Sequence, residues 1–93
     1  MLIKSGKYDV DWKEPDVGVS ILHCVIYSDE LAAVNLLLGA GAKVNVRNKN
    51  QETPLHWAAK MNSVKSARSL IQYGADVNAV DNSGNNYLDN TNR

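Results

Sequence analysis

Two histidines, one cysteine and a run of carboxylates are the side chains of this 93-residue sequence that have chemistry to offer. A zinc site needs three or four converging nitrogen and sulfur ligands, yet neither His23 nor His56 has a second His or Cys three or four residues away. Both are read as structural. A nucleophilic cysteine needs a base and a lowered pKa. Cys24 has His23 beside it in sequence, but residues i and i+1 of a helix do not face each other, so Cys24 is expected to be a buried or half-buried inert thiol. Asp9, Asp11, Glu14 and Asp16 gather in one loop without the D-x-D-x-D-G spacing and distal Glu of a calcium site, and they read as a solvated acidic loop. There is no glycine-rich phosphate cradle and no G-x-S-x-G elbow. No catalytic residue, cofactor site or metal ligand is assigned, and the expectation is a protein that is not an enzyme.

Composition supports that restraint. Hydrophobic residues make up 44% and charged residues 22%, an ordinary globular balance rather than a disordered one. Ten basic residues offset ten acidic ones, so the broad positive footprint demanded by nucleic acid or an anionic membrane is missing. One cysteine excludes an internal disulfide framework. Lys4, Ser5 and Gly6 interrupt the N-terminal apolar residues, and no apolar run approaches bilayer length. The expected setting is intracellular: cytoplasmic, or nuclear in a eukaryote.

The elements that must position these residues come from self-similarity. Leu22 recurs as Leu55, His23 as His56, Leu37 as Leu70, Gly41 as Gly74, Ala42 as Ala75, Val44 as Val77 and Asn45 as Asn78, always 33 residues apart (55 − 22, 74 − 41). Roughly two such identities are expected from composition alone. In the second unit Thr53 can cap a helix, and Pro54 suits its first position. Leu55, Ala58 and Ala59 then give a narrow small-residue face, with a helix end near Asn62. Val64, Ala67, Leu70 and Ile71 mark a second amphipathic helix stopped at Gly74, followed by a turn-rich stretch from Asp76 to Gly84. The first unit repeats this plan, with helices near residues 20–27 and 30–38 and a loop over 44–50.

The motif Thr53-Pro-Leu-His-Trp-Ala-Ala, followed by Gly74-Ala-Asp-Val-Asn-Ala79, resembles the signature of the ankyrin repeat. The resemblance implies an all-α solenoid of helix-turn-helix units joined by hairpin-like loops. It would be one domain over residues 1–93: a partial repeat and loop at 1–17, repeats at 18–50 and 51–83, and a partial terminal repeat at 84–93. Leu2, Ile3, Gly6, Val10 and Asp11 look like the tail of a preceding unit. Departures are visible. Ser20-Ile-Leu-His lacks the proline, Asn86-Tyr-Leu-Asp lacks proline and histidine, and Gln51 stands where Gly18 and Gly84 hold the family's loop glycine. The resemblance further implies that His23 and His56 bond backbone groups of their own and neighbouring turns.

Function, on this resemblance, is protein–protein interaction through the positions that the motif leaves free. Those are Asp16, Val17, Val19, Tyr27 and Ser28 in the first unit, Lys49, Asn50, Glu52, Lys60 and Met61 in the second, and Asn82, Ser83 and Asn85 in the last loop. Trp57 fits either a binding anchor or packing against the adjoining repeat, and a large ring often does both. Arg47, Lys49 and Lys60 suggest a partner carrying acidic groups opposite them. Leu70-Ile-Gln-Tyr-Gly-Ala-Asp-Val-Asn resembles the segment that asparaginyl hydroxylases modify in animal ankyrin proteins, which makes Asn78 a candidate beside its simpler reading as a turn asparagine. The partner is expected to be another protein, with no nucleic acid and no membrane. A small inhibitor or immunity protein occluding one enzyme or toxin is the alternative. Two full units should leave apolar surface uncovered at Leu70 and Ile71, consistent with a segment of a longer array, end-to-end self-association, or a partner that supplies the cap.

Overall fold

The computed structural model describes residues 10–87. Four helices follow one another: α1 (Ile21–Tyr27), α2 (Leu31–Gly39), α3 (Pro54–Lys60) and α4 (Val64–Gln72). They form two helical hairpins, with α1 on α2 and α3 on α4, and the hairpins stack so that α1 meets α3 and α2 meets α4. The 33-residue period of the sequence is therefore the repeat of the fold. Expectations about Met1, Leu2, Ile3, Gly6, Asp9, Leu88 and Asp89 lie outside the described residues. Among the described residues, no helix is long and apolar enough to cross a membrane.

Both opening helices start on the same device. The Ser20 and Thr53 hydroxyls accept the backbone N–H of His23 and His56, and each histidine returns its Nδ1 to the backbone N–H of its cap, at 3.1 Å in both cases. Pro54 begins α3, where no N–H is needed. The helices end at sharp corners, and these too repeat at the period: Asp29 (φ 56°) and Asn62 (φ 57°) turn each hairpin in the left-handed region that Asp and Asn tolerate. The cross-hairpin bonds Glu30 N–H to Val25 O (3.0 Å) and Ser63 N–H to Ala58 O (2.8 Å) close the same corners.

The core is a single cluster of Leu22, Ile26, Val34, Leu37, Leu38, Leu55, Ala58 and Leu70, shared by both hairpins. Two expectations change here. Leu70 is fully covered, so it does not contribute to an open end, although Ile71 beside it is 42% exposed. The buried side of α4 runs through Ser66 and Leu70, one turn apart, while Val64 is exposed and Ala67 only half-buried. Periodicity finds the apolar stripe; the preceding hairpin covers only part of its width. Val64 and Ala67 instead line a shallow recess with Ala58, Ala59 and Tyr87.

Candidate functional site

The loops stack as regularly as the helices. Lys49 N–H donates to Val17 O, and Asn82 N–H donates to Asn50 O one period later, both at 2.9 Å. Asn48 Oδ1 accepts the N–H groups of Asn50 and Glu52, while Asp81 Oδ1 accepts those of Ser83 and Asn85, so each loop is wound round one Asx side chain. The histidines tie helices to these loops. His23 Nε2 lies 2.9 Å from the Glu52 carbonyl, and His56 Nε2 lies 2.9 Å from that of Asn85. A carbonyl only accepts, so each Nε2 carries the proton and each Nδ1 accepts: the neutral tautomer. Burial pushes the His23 pKa down, against the pull of the Glu52 carbonyl.

Glu52 departs from expectation. The sequence placed it among the exposed contact residues, but it is 7% exposed. Its Oε1 accepts from Asn48 Nδ2 at 2.9 Å and from the Trp57 indole Nε1 at 3.0 Å, and its Oε2 pairs with Lys60. Burial alone would raise its pKa; the bonds from Asn48, Lys60 and Trp57 together outweigh burial and hold it at about 2. Glu52 belongs to the frame of the site, and so does half of Lys60.

Around this frame lie two shallow recesses that share Glu52 and Lys60. One is lined by Tyr27, Trp57 and Met61, the other by Asn50, Asp81, Asn82, Ser83 and Asn85. Trp57 takes up the packing role of its two readings and leaves part of its ring accessible. Its ring meets His23 edge-on at 4.9 Å and Tyr27 at 6.1 Å, so it packs across the repeat boundary and stays half-exposed. Tyr27 is 64% exposed and Met61 43%.

The remaining residues named from sequence fall elsewhere. Asp16, Val17 and Ser28 are exposed and Val19 half-buried, and none of them lines either recess. Arg47 and Lys49 line a separate cleft. Asn78 is exposed, with its N–H on Asp76 Oδ1. Sequence reasoning missed Asn48 and Asp81 as organisers of the site, although their pairing at the 33-residue period was the available signal.

Cys24 also needs correction. It is exposed rather than buried, because a short thiol at the position of Trp57 cannot reach across to a neighbour. Partial desolvation of the thiol and the charge of Glu14 raise its pKa, which keeps it a thiol. Two carboxylates of the acidic loop are engaged by backbone: Asp11 accepts from Lys43 N–H at 2.7 Å, and Glu14 from the N–H groups of Asp16 and Val17.

The family model of ankyrin repeats, in three copies, matches residues 1–81 of the chain. The chain belongs to the ankyrin-repeat family. The palmitoyltransferase AKR1 of Kluyveromyces lactis is 42% identical over 76 residues, which is 81% of this chain and 10% of that protein. The ankyrin repeat and SOCS box protein 5 of Oryctolagus cuniculus is 38% identical over 78 residues, 84% of this chain and 23% of its own length. The protein phosphatase 1 regulatory subunit 27 of Mus musculus is 35% identical over 82 residues, covering 88% and 53%. This chain thus spans from a tenth to about half of the length of these three relatives. The likeness to the palmitoyltransferase is confined to ankyrin repeats. Ankyrin repeats are a non-catalytic fold that generally mediates protein–protein interaction.

Proposed function

We propose that this chain is a protein-binding module that seats an apolar side chain of its partner on Tyr27, Trp57 and Met61, with the polar recess at Asn50, Asn82 and Ser83 reading the flanking backbone. The observation that carries this reading is the exposure of Tyr27 and Met61 in one recess with a Trp57 ring held by Glu52 and His23. Aromatic and Met side chains in a water-accessible recess are favoured anchor sites, and a ring held from behind loses little entropy on binding. The polar recess offers side-chain amides and a hydroxyl, the groups that pair with an extended partner strand.

Selection of a displayed random-peptide library on the immobilised chain tests the proposal. Peptides enriched on the wild-type chain should carry a recurring apolar residue. They should bind a Tyr27→Ala/Met61→Ala double variant at least about tenfold more weakly, the loss of one to two good anchors. Enriched peptides that bind both chains equally would place recognition elsewhere. Neither substituted side chain belongs to the buried core, so the double variant should melt close to the wild-type temperature.

A further inference from the structure

Away from the aromatic recess, the first and second loops meet in a cleft spanned by two lysines that cross it in opposite directions. Lys13 Nζ donates to the Arg47 carbonyl at 2.9 Å, and Lys49 Nζ donates to the Pro15 carbonyl at 2.7 Å. Gly18 lets the loops approach: its φ is +76°, and a Cβ there would stand 3.1 Å from the backbone nitrogen of Lys49. The Arg47 guanidinium lines the same cleft, with one terminal nitrogen donating to Val80 O at 2.8 Å and to Gln51 O at 3.3 Å. Three cations therefore share one cleft, and among the described residues no carboxylate forms an ion pair with any of them. Glu14 is the acid in the lining, and both of its oxygens are occupied by the N–H groups of Asp16 and Val17. A carbonyl takes one of an ammonium's three donors, and Arg47 keeps the nitrogens that make no such bond, so charge and hydrogen-bonding capacity are both left over.

We propose that this cleft binds an acidic segment of a partner protein, with side-chain carboxylates on Lys13, Lys49 and Arg47. This deepens the protein-binding reading and rests on it, adding a second contact of different chemistry. Lys60, grouped with Arg47 and Lys49 on the sequence alone, has no part in it because Glu52 neutralises it; Lys13 takes its place. Three observations select the class of ligand. The backbone amides that would cradle a phosphate are consumed, Gly18 N–H on Glu14 O and Lys49 N–H on Val17 O, each at 2.9 Å. No aromatic side chain lines the cleft, so nucleic-acid bases have nothing to stack on. The chain as a whole carries no net charge, which leaves the attraction local and short in range. Two positioned ammonium groups beside a guanidinium fork suit the spaced carboxylates of a peptide.

Fluorescence anisotropy with labelled hexaglutamate, and hexaglutamine as the neutral probe, tests the assignment at about 20 mM and about 150 mM salt. Hexaglutamate should bind and hexaglutamine should not. A Lys13→Gln/Lys49→Gln variant should bind hexaglutamate about tenfold more weakly or worse, while Lys65→Gln/Arg68→Gln, which removes the same charge from exposed α4 positions, should change it less than about twofold. Lys13→Arg/Lys49→Arg keeps the charge and should keep the binding, which separates loss of charge from loss of fold. Equal losses in the two charge-removing variants, no hexaglutamate binding at either salt, or displacement by inorganic phosphate or single-stranded RNA as effective as by unlabelled peptide would each overturn the proposal. The Tyr27→Ala/Met61→Ala variant should bind hexaglutamate like the wild type. Failure of the cleft thus leaves the aromatic recess standing, and the reverse holds equally.

Discussion

Replacing Glu52 by Gln keeps the volume of the side chain but removes its charge, and the bonds around it cannot all survive the exchange. Oε1 accepts from Asn48 and Trp57, and Oε2 faces the Lys60 ammonium. An amide can serve one side only. With its oxygen toward Asn48 and Trp57, its NH2 donors point at a cation; flipped, they point at two donors. The size of the effect comes from the carboxyl pKa, held at about 2 against a reference of 4.5. At about 1.4 kcal/mol per unit that is roughly 3 kcal/mol, lowered somewhat because the Lys60 side chain is 40% exposed and partly screened by water. A loss of about 2–3 kcal/mol at neutral pH is expected, a large share of the stability of a chain this short.

The sign with pH separates this account from simple packing damage. The folded-state pKa lies below the unfolded one, so the stabilisation is complete above pH 4.5 and fades as pH falls from 4.5 toward about 2. The gap between wild type and Glu52→Gln should therefore be full at pH 7 and shrink steadily below pH 4.5. Urea denaturation over pH 7 to 3 measures it. A Trp12→Phe background makes Trp57 the sole tryptophan reporter in a sequence that has two. A gap that is absent at pH 7, or that stays constant down to pH 3, would refute the assignment of Glu52 as the charged centre of the site.

Two more residues of the same frame carry expectations of their own. His23 is buried and its pKa is depressed from 6.5, with Nδ1 already accepting the Ser20 N–H, so stability should be complete above pH 6.5 and fall as pH drops through that value, by at most about 1.4 kcal/mol per pH unit; urea midpoints from pH 7.5 to 5 that stay flat would count against it. Gln51 sits at φ 61° where Gly18 and Gly84 occupy the equivalent corners at 76° and 78°, and its two bonds, N–H to Asn48 O and carbonyl from Arg47, use backbone alone, so Gln51→Gly should stabilise the chain by about 0.5–1 kcal/mol, and an unchanged or lowered urea midpoint would deny the strain.

The sequence made the frame legible because the frame is built from local chemistry that recurs. The Ser20 hydroxyl three residues before His23 makes a helix cap, and the Thr53–His56 pair 33 residues later makes a second one. Gly and Asn at matching positions fix where the chain turns. The binding side was less legible, and the misreadings share a cause. Glu52 looked like a free charge because its three donors stand four residues before it and five and eight after it, a convergence that exists only once the loop has wound round Asn48 and α3 has formed. Cys24 and Trp57 occupy equivalent backbone positions, so periodicity gave them one environment, yet side-chain reach decides which of them finds a partner. Arg47, Lys49 and Lys60 were grouped by sign alone. Folding sorts them by what lies opposite: a carboxylate removes Lys60 from the group, while carbonyls hold Arg47 and Lys49 in place without cancelling their charge. A hydrogen bond to a neutral carbonyl positions a cation and leaves its field intact, which is why the cleft at Lys13, Arg47 and Lys49 is at once well ordered and electrostatically unsatisfied.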